Sequence, residues 1–427
     1  MDYRIFPPED LLQARVKLPL SKSVSNRALM LNALTTDPLP LKEVADCDDT
    51  KAMMAGLGKT DGSVNVGAAG TAMRFLTAYY AAQPGCEVVL DGSERMRQRP
   101  IGELVDALKA CGASIEYEGQ EGFPPLKIKG NRLNGGSITI RSDVSSQFIS
   151  ALLMVGPLME NGLTVTLEGE IKSLPYIRMT IEMMKIWGAD AEMEGNEIRI
   201  KKGQYQATDF TVEGDWSAAS YWYEIEALTS GWVTLDGLQR FSLQGDSRVI
   251  RLYENLGVNT EFDGEEGGVD LVASPDGVPR FIADMSDTPD LTQTVVVTCA
   301  MLGIPFRLTG VASLRIKETD RIEALKTELY RVGIVLEIES DDIISWEDER
   351  CPVREMPVFD TYDDHRMALS FAPVALFIPG IIIRNADVVS KSYPGYWDDL
   401  KNAGFKVEEV TATAEAPLGE NETEDQA

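Results

Sequence analysis

Two rhythms of apolar residues alternate along the chain. Stretches with apolar residues three and four apart, the period of a helix face, give way at a glycine to stretches that alternate in twos, as strands do. The handover recurs in "LKACGASIEYE", "MKIWGADAEME", "YENLGVNTEFD", "YRVGIVLEIE" and "LKNAGFKVEEV". Each reads as an amphipathic helix closed by a glycine and followed by a strand. The closing glycines, Gly112, Gly188, Gly257, Gly333 and Gly404, stand 76, 69, 76 and 71 residues apart. So regular a period predicts duplicated structural units.

A second, interleaved series opens helices. "SKSVSNRALMLNAL", "AAGTAMRFLTAYYA", "VSSQFISALLMV", "DWSAASYWYEIEAL", "SDTPDLTQTVVVTCAML" and "YDDHRMALSFAPVAL" each set Ser, Thr, Asp or small residues before an apolar helical run, an N-cap composition. Marked at Asn26, Met73, Gln147, Ala218, Leu291 and Arg366, they step by 47, 74, 71, 73 and 75 residues. Six units follow, the first shortened. Gly58 to Met73 spans 15 residues where later copies span 30 to 35, so the missing part is mainly strand. Each full unit reads as strand, helix, strand, helix, strand, strand. The period exceeds that of solenoid repeats, and a chain of 427 residues exceeds the ~250 to 300 that one core supports, so two lobes of three units are expected.

The apolar halves of these helices need only a core to explain them, but their starts carry residues that a core does not need. A helix N-terminus offers free N–H groups and the positive end of a dipole to an anion. Lys22, Ser23 and Arg27 cluster in "PLSKSVSNRALM", although cations so early in a helix oppose its dipole. Ser145, Ser146 and Gln147 add polar donors, one of which plain N-capping would explain. Gly70 lets backbone approach a ligand, and Arg74 follows it. Connecting segments add Arg99, Lys391 and the "KETDR" cluster, where a helix would put Lys317 and Arg321 on one face with Glu318 beside them. Asp290 could simply be the N-cap of the helix that it precedes.

Charge sharpens this. With 40 basic and 68 acidic residues the formal charge is −28, which argues against nucleic acid or an anionic membrane as partner. A small anionic ligand would need a locally basic pocket. Five cysteines form no CxxC pair, and there is neither an apolar leader nor a run of 18 apolar residues. A reducing cytoplasm is the expected compartment. From about residue 408 the sequence is acidic, poor in aromatics and reads as a disordered tail (408–427).

In this order, "SKSVSNRA", "AGTAMR", "RPIGELVDAL", "SSQF", "PDLT", "KETDR" and "DHRMA" resemble the 5-enolpyruvylshikimate-3-phosphate synthase family, from about Lys17 to Leu400. The resemblance implies a two-lobed inside-out α/β barrel of six βαβαββ-type repeats. It puts an N-terminal lobe at 20–212 and a C-terminal lobe at 1–19 plus 213–407. It implies transfer of the enolpyruvyl (carboxyvinyl) group of phosphoenolpyruvate to the 5-hydroxyl of shikimate 3-phosphate through a tetrahedral intermediate, with release of phosphate. No cofactor or metal is implied, and the chain is expected to be a monomer. Carried over by motif, Lys22, Ser23, Arg27, Ser145, Ser146, Gln147, Ser173 of "KSLPYIR", Asp290 and Lys317 should hold shikimate 3-phosphate. Lys22, Gly70, Arg99, Gln147, Arg321, Arg366 and Lys391 should hold phosphoenolpyruvate. Asp290 matches the proton acceptor, with Glu318 and Lys22 as the other catalytic groups and Arg74 in support. His365, the lone histidine, is expected to orient the site by hydrogen bonding rather than to move protons.

The sequence also departs from the family pattern: Leu20, Ala68, Phe75 and Ser313 replace a small residue, asparagine, proline and asparagine. None removes an expected charge, so an active enzyme with altered affinities is expected, and the changes around Gly70 leave its response to glyphosate open. Two alternatives compete. The sister transferase acting on UDP-N-acetylglucosamine carries a cysteine where this chain has Glu94, and it lacks the "SKSxSNR" site. A binding protein without catalysis would not need Asp290, Glu318 and Lys22 together.

Overall fold

The computed structural model describes residues 1–142, 145–229, 231–262, 268–353 and 355–410. Its buried apolar residues divide into two cores, one running from Val24 to Val212, the other joining Ile5, Leu12, Val16 and Leu18 to residues from Trp216 to Phe405. The chain therefore begins in the second lobe, leaves it for the first and returns. The two crossings lie side by side, with Ser21 N–H donating to Glu213 O (2.8 Å) and Asp215 N–H to Pro19 O (2.9 Å).

Each lobe is built with helices inside and sheets outside. The first holds α1 (Lys22–Ala33), α2 (Asp48–Gly56), α3 (Gly70–Ala81), α4 (Gly102–Ala110), α5 (Ser146–Val155) and α6 (Leu174–Ile186). The second holds α7 (Trp216–Thr229), α8 (Val249–Glu254), α9 (Thr292–Leu302), α10 (Arg321–Arg331), α11 (His365–Phe371) and α12 (Tyr396–Asn402). Every residue of the mainly apolar α3 is buried, its Arg74 and Thr77 hydrogen-bonded to carbonyls, and it packs on α5; α7, α9 and α11 pack together likewise. The strands alternate instead: Leu126–Lys129 buries Leu126 and Ile128 and exposes Lys127 and Lys129, so the sheets form the outer layer.

Two helices per unit give the six units expected. Among the described residues there are five four-stranded sheets, and the first unit has none, which is where the sequence was short. The five helix-closing glycines all have positive φ, from +84° to +97°, where a side chain would be strained.

Two details differ from the sequence reading. The last strand, Lys406–Glu409, pairs with Tyr3–Phe6, so ordered chain continues past the expected start of the tail at 408; residues 411–427 lie outside the described residues. "KETDR" is not one helix. Asp320 accepts hydrogen bonds from Ile322 and Glu323 N–H (3.1 and 3.2 Å), which starts α10 at Arg321 and leaves Lys317 and Glu318 in the loop before it.

Candidate active site

The starts of α1, α3, α5 and α11 face one cavity of about 400 Å³ between the lobes. Ser21 caps α1, Ser145 caps α5 and Asp364 caps α11, each accepting a backbone N–H. Every site residue expected from sequence lines this cavity except Lys391, which reaches it through Glu318. Among the described residues nine lysines and arginines line it against four carboxylates, opposite in sign to the chain's net charge of −28.

On the second lobe's wall, Asp290 does not cap α9. It sits in a single 3₁₀ turn, Pro289–Leu291, and its carboxylate meets Arg366 Nη2 at 2.8 Å, Arg321 Nη1 at 3.1 Å and Lys317 Nζ at 3.6 Å. Burial alone would raise its pKa, but Arg366, Lys317, Arg321 and Lys22 outweigh it and hold the group well below the usual carboxylate range. Glu318 is held likewise. Its oxygens meet Lys391 Nζ at 2.9 Å, Arg321 Nη2 at 3.1 Å and Arg99 Nη1 at 3.9 Å, and these cations overcome the effect of burial. Both carboxylates are thus anionic and tied. Lys317 is the softer cation: burial lowers its pKa more than Asp290 restores it.

On the first lobe's wall, Lys22 pairs with Asp49 of α2 at 3.4 Å; burial lowers the lysine's pKa, but Asp49 with Cys47 and Glu318 together outweigh it, and the net shift is upward. Arg27 is different. Among the described residues its hydrogen bonds go to neutral oxygens: Thr180 Oγ1 (2.7 Å), Ser150 Oγ (3.1 Å) and the carbonyls of Ser23 (2.9 Å) and Tyr176 (3.4 Å). Burial lowers its pKa to about 10, which still leaves it charged at neutral pH. Gln147 donates to Thr71 Oγ1 (3.2 Å). Ser173 adopts the left-handed conformation, φ +54°, and its N–H and hydroxyl both donate to Ser286 O across the cleft.

Gly70 is tight for a reason that the structure shows. A Cβ there would lie 2.8 Å from Arg99 Nη1, so only glycine leaves the guanidinium its place. Arg74 is scaffolding. It donates to the carbonyls of Gly70 (3.2 Å) and Pro100 (3.1 Å), fixing the two segments that carry Gly70 and Arg99.

His365 is 1% exposed, and among the described residues neither ring nitrogen has a hydrogen-bond partner, Asp364 Oδ1 lying 3.6 Å from Nδ1. The expected hydrogen-bonding role finds no partner among the described residues, and Asp364 is occupied by Arg321 and by the α11 backbone. Burial, then Lys22 and Arg366, push its pKa well below 6.5, so the ring is neutral at physiological pH.

Sequence reasoning missed four groups. Asp49 lies in "DCDDTK", where acids at a helix start read as capping. Asp364 was visible only as a neighbour of the histidine. Tyr176 was hidden in "KSLPYIR", and its hydroxyl lies 3.5 Å from Asp290 and 3.3 Å from Asp246, two carboxylates of the other lobe. No motif marks Asp246. Other contacts across the cleft are Lys391 to Ala68 O (3.0 Å), Arg95 to the carbonyls of Glu318 and Lys317 (3.0 and 3.2 Å), and Lys172 to Asp342 (3.5 Å).

Residues 7–63 and 58–400 match the profile of the family described as EPSP synthase (3-phosphoshikimate 1-carboxyvinyltransferase). The chain belongs to the EPSP synthase family. Relatives bearing the name 3-phosphoshikimate 1-carboxyvinyltransferase span it almost completely. One from Bacteroides fragilis is 51% identical over 410 residues, covering 95% of this chain and 99% of that protein. One from Vibrio campbellii is 38% identical over 431 residues, covering 94% and 99%. An EPSP synthase structure from Acinetobacter baumannii aligns with a TM-score of 0.75 at 23% identity, covering 96% of this chain and all of that one. This last likeness carries the two-lobed EPSP synthase fold alone. Among the described residues no helix is long and apolar enough to cross a membrane.

Proposed function

We propose that this chain joins shikimate 3-phosphate to phosphoenolpyruvate. The 5-hydroxyl adds to C2 of the enolpyruvyl group, the C3 methylene takes a proton, and phosphate then leaves the tetrahedral adduct as C3 gives the proton back. This is the shikimate-pathway step of aromatic amino acid biosynthesis that its relatives' names describe. The observation that carries the reading is Asp290. A carboxylate at a helix start that caps nothing, and instead gathers three cations on the wall of a basic cavity, has no structural task left to explain it.

The roles follow from charge and reach. Arg27, which among the described residues pairs with neutral oxygens, has charge to spare for shikimate 3-phosphate, with Lys22, Ser23, Ser145, Ser146, Gln147, Ser173 and Lys317 around it. Arg99, Arg321 and Lys391 gather at Glu318, with Arg99 also against Gly70, and together with Arg366 they take the carboxylate and phosphate of phosphoenolpyruvate with Lys22 and Gln147. An entering anion competes with Asp290 and Glu318 for the same cations. Loosening those ion pairs raises the basicity of both carboxylates when substrates are present. Asp290 then accepts the hydroxyl proton, and Glu318 and Lys22 handle the proton at C3 and the leaving phosphate.

The two cores support lobes at 20–212 and at 1–19 plus 213–407, turning about the paired crossings at Ser21 and Asp215. The setting is a monomer in a reducing cytoplasm, where the five free thiols are stable. The test is phosphate release from shikimate 3-phosphate and phosphoenolpyruvate. No turnover by the natural chain would refute the reaction. Full kcat in Asp290→Ala would refute the base and leave the reaction standing.

A further inference from the structure

Asp246 lies behind the cavity in the 3₁₀ turn Gly245–Arg248 and is 2% exposed. It is a buried carboxylate for which the reaction above has no use. Its oxygens accept from the Ser217 hydroxyl and from the Tyr176 hydroxyl at 3.3 and 3.4 Å, and the same phenol oxygen lies 3.5 Å from Asp290 Oδ2. One hydroxyl therefore touches both carboxylates.

We infer that Asp246 is a second proton store for this site, receiving through the Tyr176 hydroxyl the proton that Asp290 takes from the attacking sugar hydroxyl. The inference rests on the reaction proposed above. As the sugar oxygen bonds to C2, its O–H bond breaks and the proton reaches Asp290. The Tyr176 oxygen accepts that proton while its own phenolic proton passes to Asp246. Tyrosine ends neutral, as it began, Asp290 is again a carboxylate and Asp246 is a carboxylic acid. During elimination the path reverses, and the proton departs on phosphate.

Electrostatics gives the transfer its direction. A proton left on Asp290 forfeits its pairs with Arg366, Arg321 and Lys317. Among the described residues, the groups that act on Asp246 include Ser217 and Asp215 at the start of α7, Tyr176 of α6, Asp290, and the cation Arg366 of α11. Burial first, then repulsion by Asp290, raises its pKa to about 7 despite the Ser217 hydrogen bond and Arg366. A proton is cheaper there than on Asp290. The store is also half empty near neutrality, ready to accept.

The test is the pH dependence of kcat for the full chain. Wild-type kcat should fall as pH drops through about 7, because an Asp246 already protonated cannot accept. Asp246→Asn should lose about 100-fold in kcat and lose that acid limb, with KM for both substrates changed less than about threefold. Tyr176→Phe should lose the same limb, and it decides the matter if Asp246→Asn does not fold. An unchanged limb in either folded variant overturns the inference, since a merely structural residue would lower kcat without moving it. A carboxyl infrared band that titrates near neutral pH and is absent in Asp246→Asn supplies a readout without turnover. An active enzyme lacking this band overturns the proton store; an inactive one showing it overturns the reaction instead.

Discussion

Arg321 and Asp364 meet at two points, Nε to Oδ2 at 2.7 Å and Nη2 to Oδ1 at 3.3 Å, with side chains 1% and 0% exposed. The same Asp364 oxygen that takes Nη2 also accepts the Arg366 N–H at 2.9 Å. One carboxylate therefore caps α11 and aims the arginine that reaches Asp290 and Glu318. The position of Arg366, which starts on that helix, depends on it too.

Removing the charge while keeping the shape isolates this role. Asp364→Asn can still cap α11 through its amide oxygen but leaves Arg321 short of a buried counter-charge. It should destabilise the protein by roughly 3 kcal/mol, the low end of the cost of stripping one partner from a buried pair. Urea denaturation measures it. A loss below about 1 kcal/mol would mean that Asp290 and Glu318 alone neutralise Arg321.

Gly70→Ala should act on Arg99 and on little else. The new methyl would lie 2.8 Å from Nη1, and the guanidinium is the flexible party. The expected result is a rise of about tenfold in KM for phosphoenolpyruvate, ~1.4 kcal/mol of lost binding, with thermal stability unchanged. If KM rose instead for shikimate 3-phosphate alone, the assignment of Arg99 would be wrong.

Much of the site was legible because a helix start with cations contradicts its own dipole, so Lys22 and Arg27 could not be explained by folding. Gly112 and its four counterparts were legible because they end helices in a conformation that other residues avoid. Groups with a plausible structural excuse stayed hidden. Asp49 looks like a first-turn acid, and Asp246 and Tyr176 come together only when the lobes do. "KETDR" misled because i,i+4 charge spacing suits a helix, while Asp320, an N-cap residue, ends that possibility from within the motif. That the first unit lacks strand was legible from length alone; that no sheet is left to it among the described residues, and which of the five sheets sits where, came only with the fold.

His365→Gln should change kcat by no more than a few fold and leave the pH profile between 6 and 8 without a histidine step. The ring's pKa is depressed by burial and by Lys22, so it carries no proton to give in that range. Because the unfolded chain binds a proton at about 6.5 that the folded chain refuses, His365 costs stability as pH falls below that value, and the variant should be spared this cost. A kcat loss as deep as that of Asp290→Ala would restore a proton-transfer role.

The core of the second lobe makes the opposite prediction. Glu224 and Glu226 of α7 are fully buried, and among the described residues neither Glu224 oxygen has a hydrogen-bond partner. Burial raises both pKa values, that of Glu226 to about 7. The folded chain then keeps protons that the unfolded chain releases near pH 4.5, so this contribution is fully present below 4.5 and is lost as pH rises through 7. Glu226→Gln cannot titrate. Between pH 5 and pH 8 the wild type should therefore lose stability relative to this variant, by at most about 3 kcal/mol for a rise from 4.5 to about 7. Urea denaturation at the two pH values measures the difference. A constant gap would mean that Glu226 reaches solvent or a partner and ionises normally.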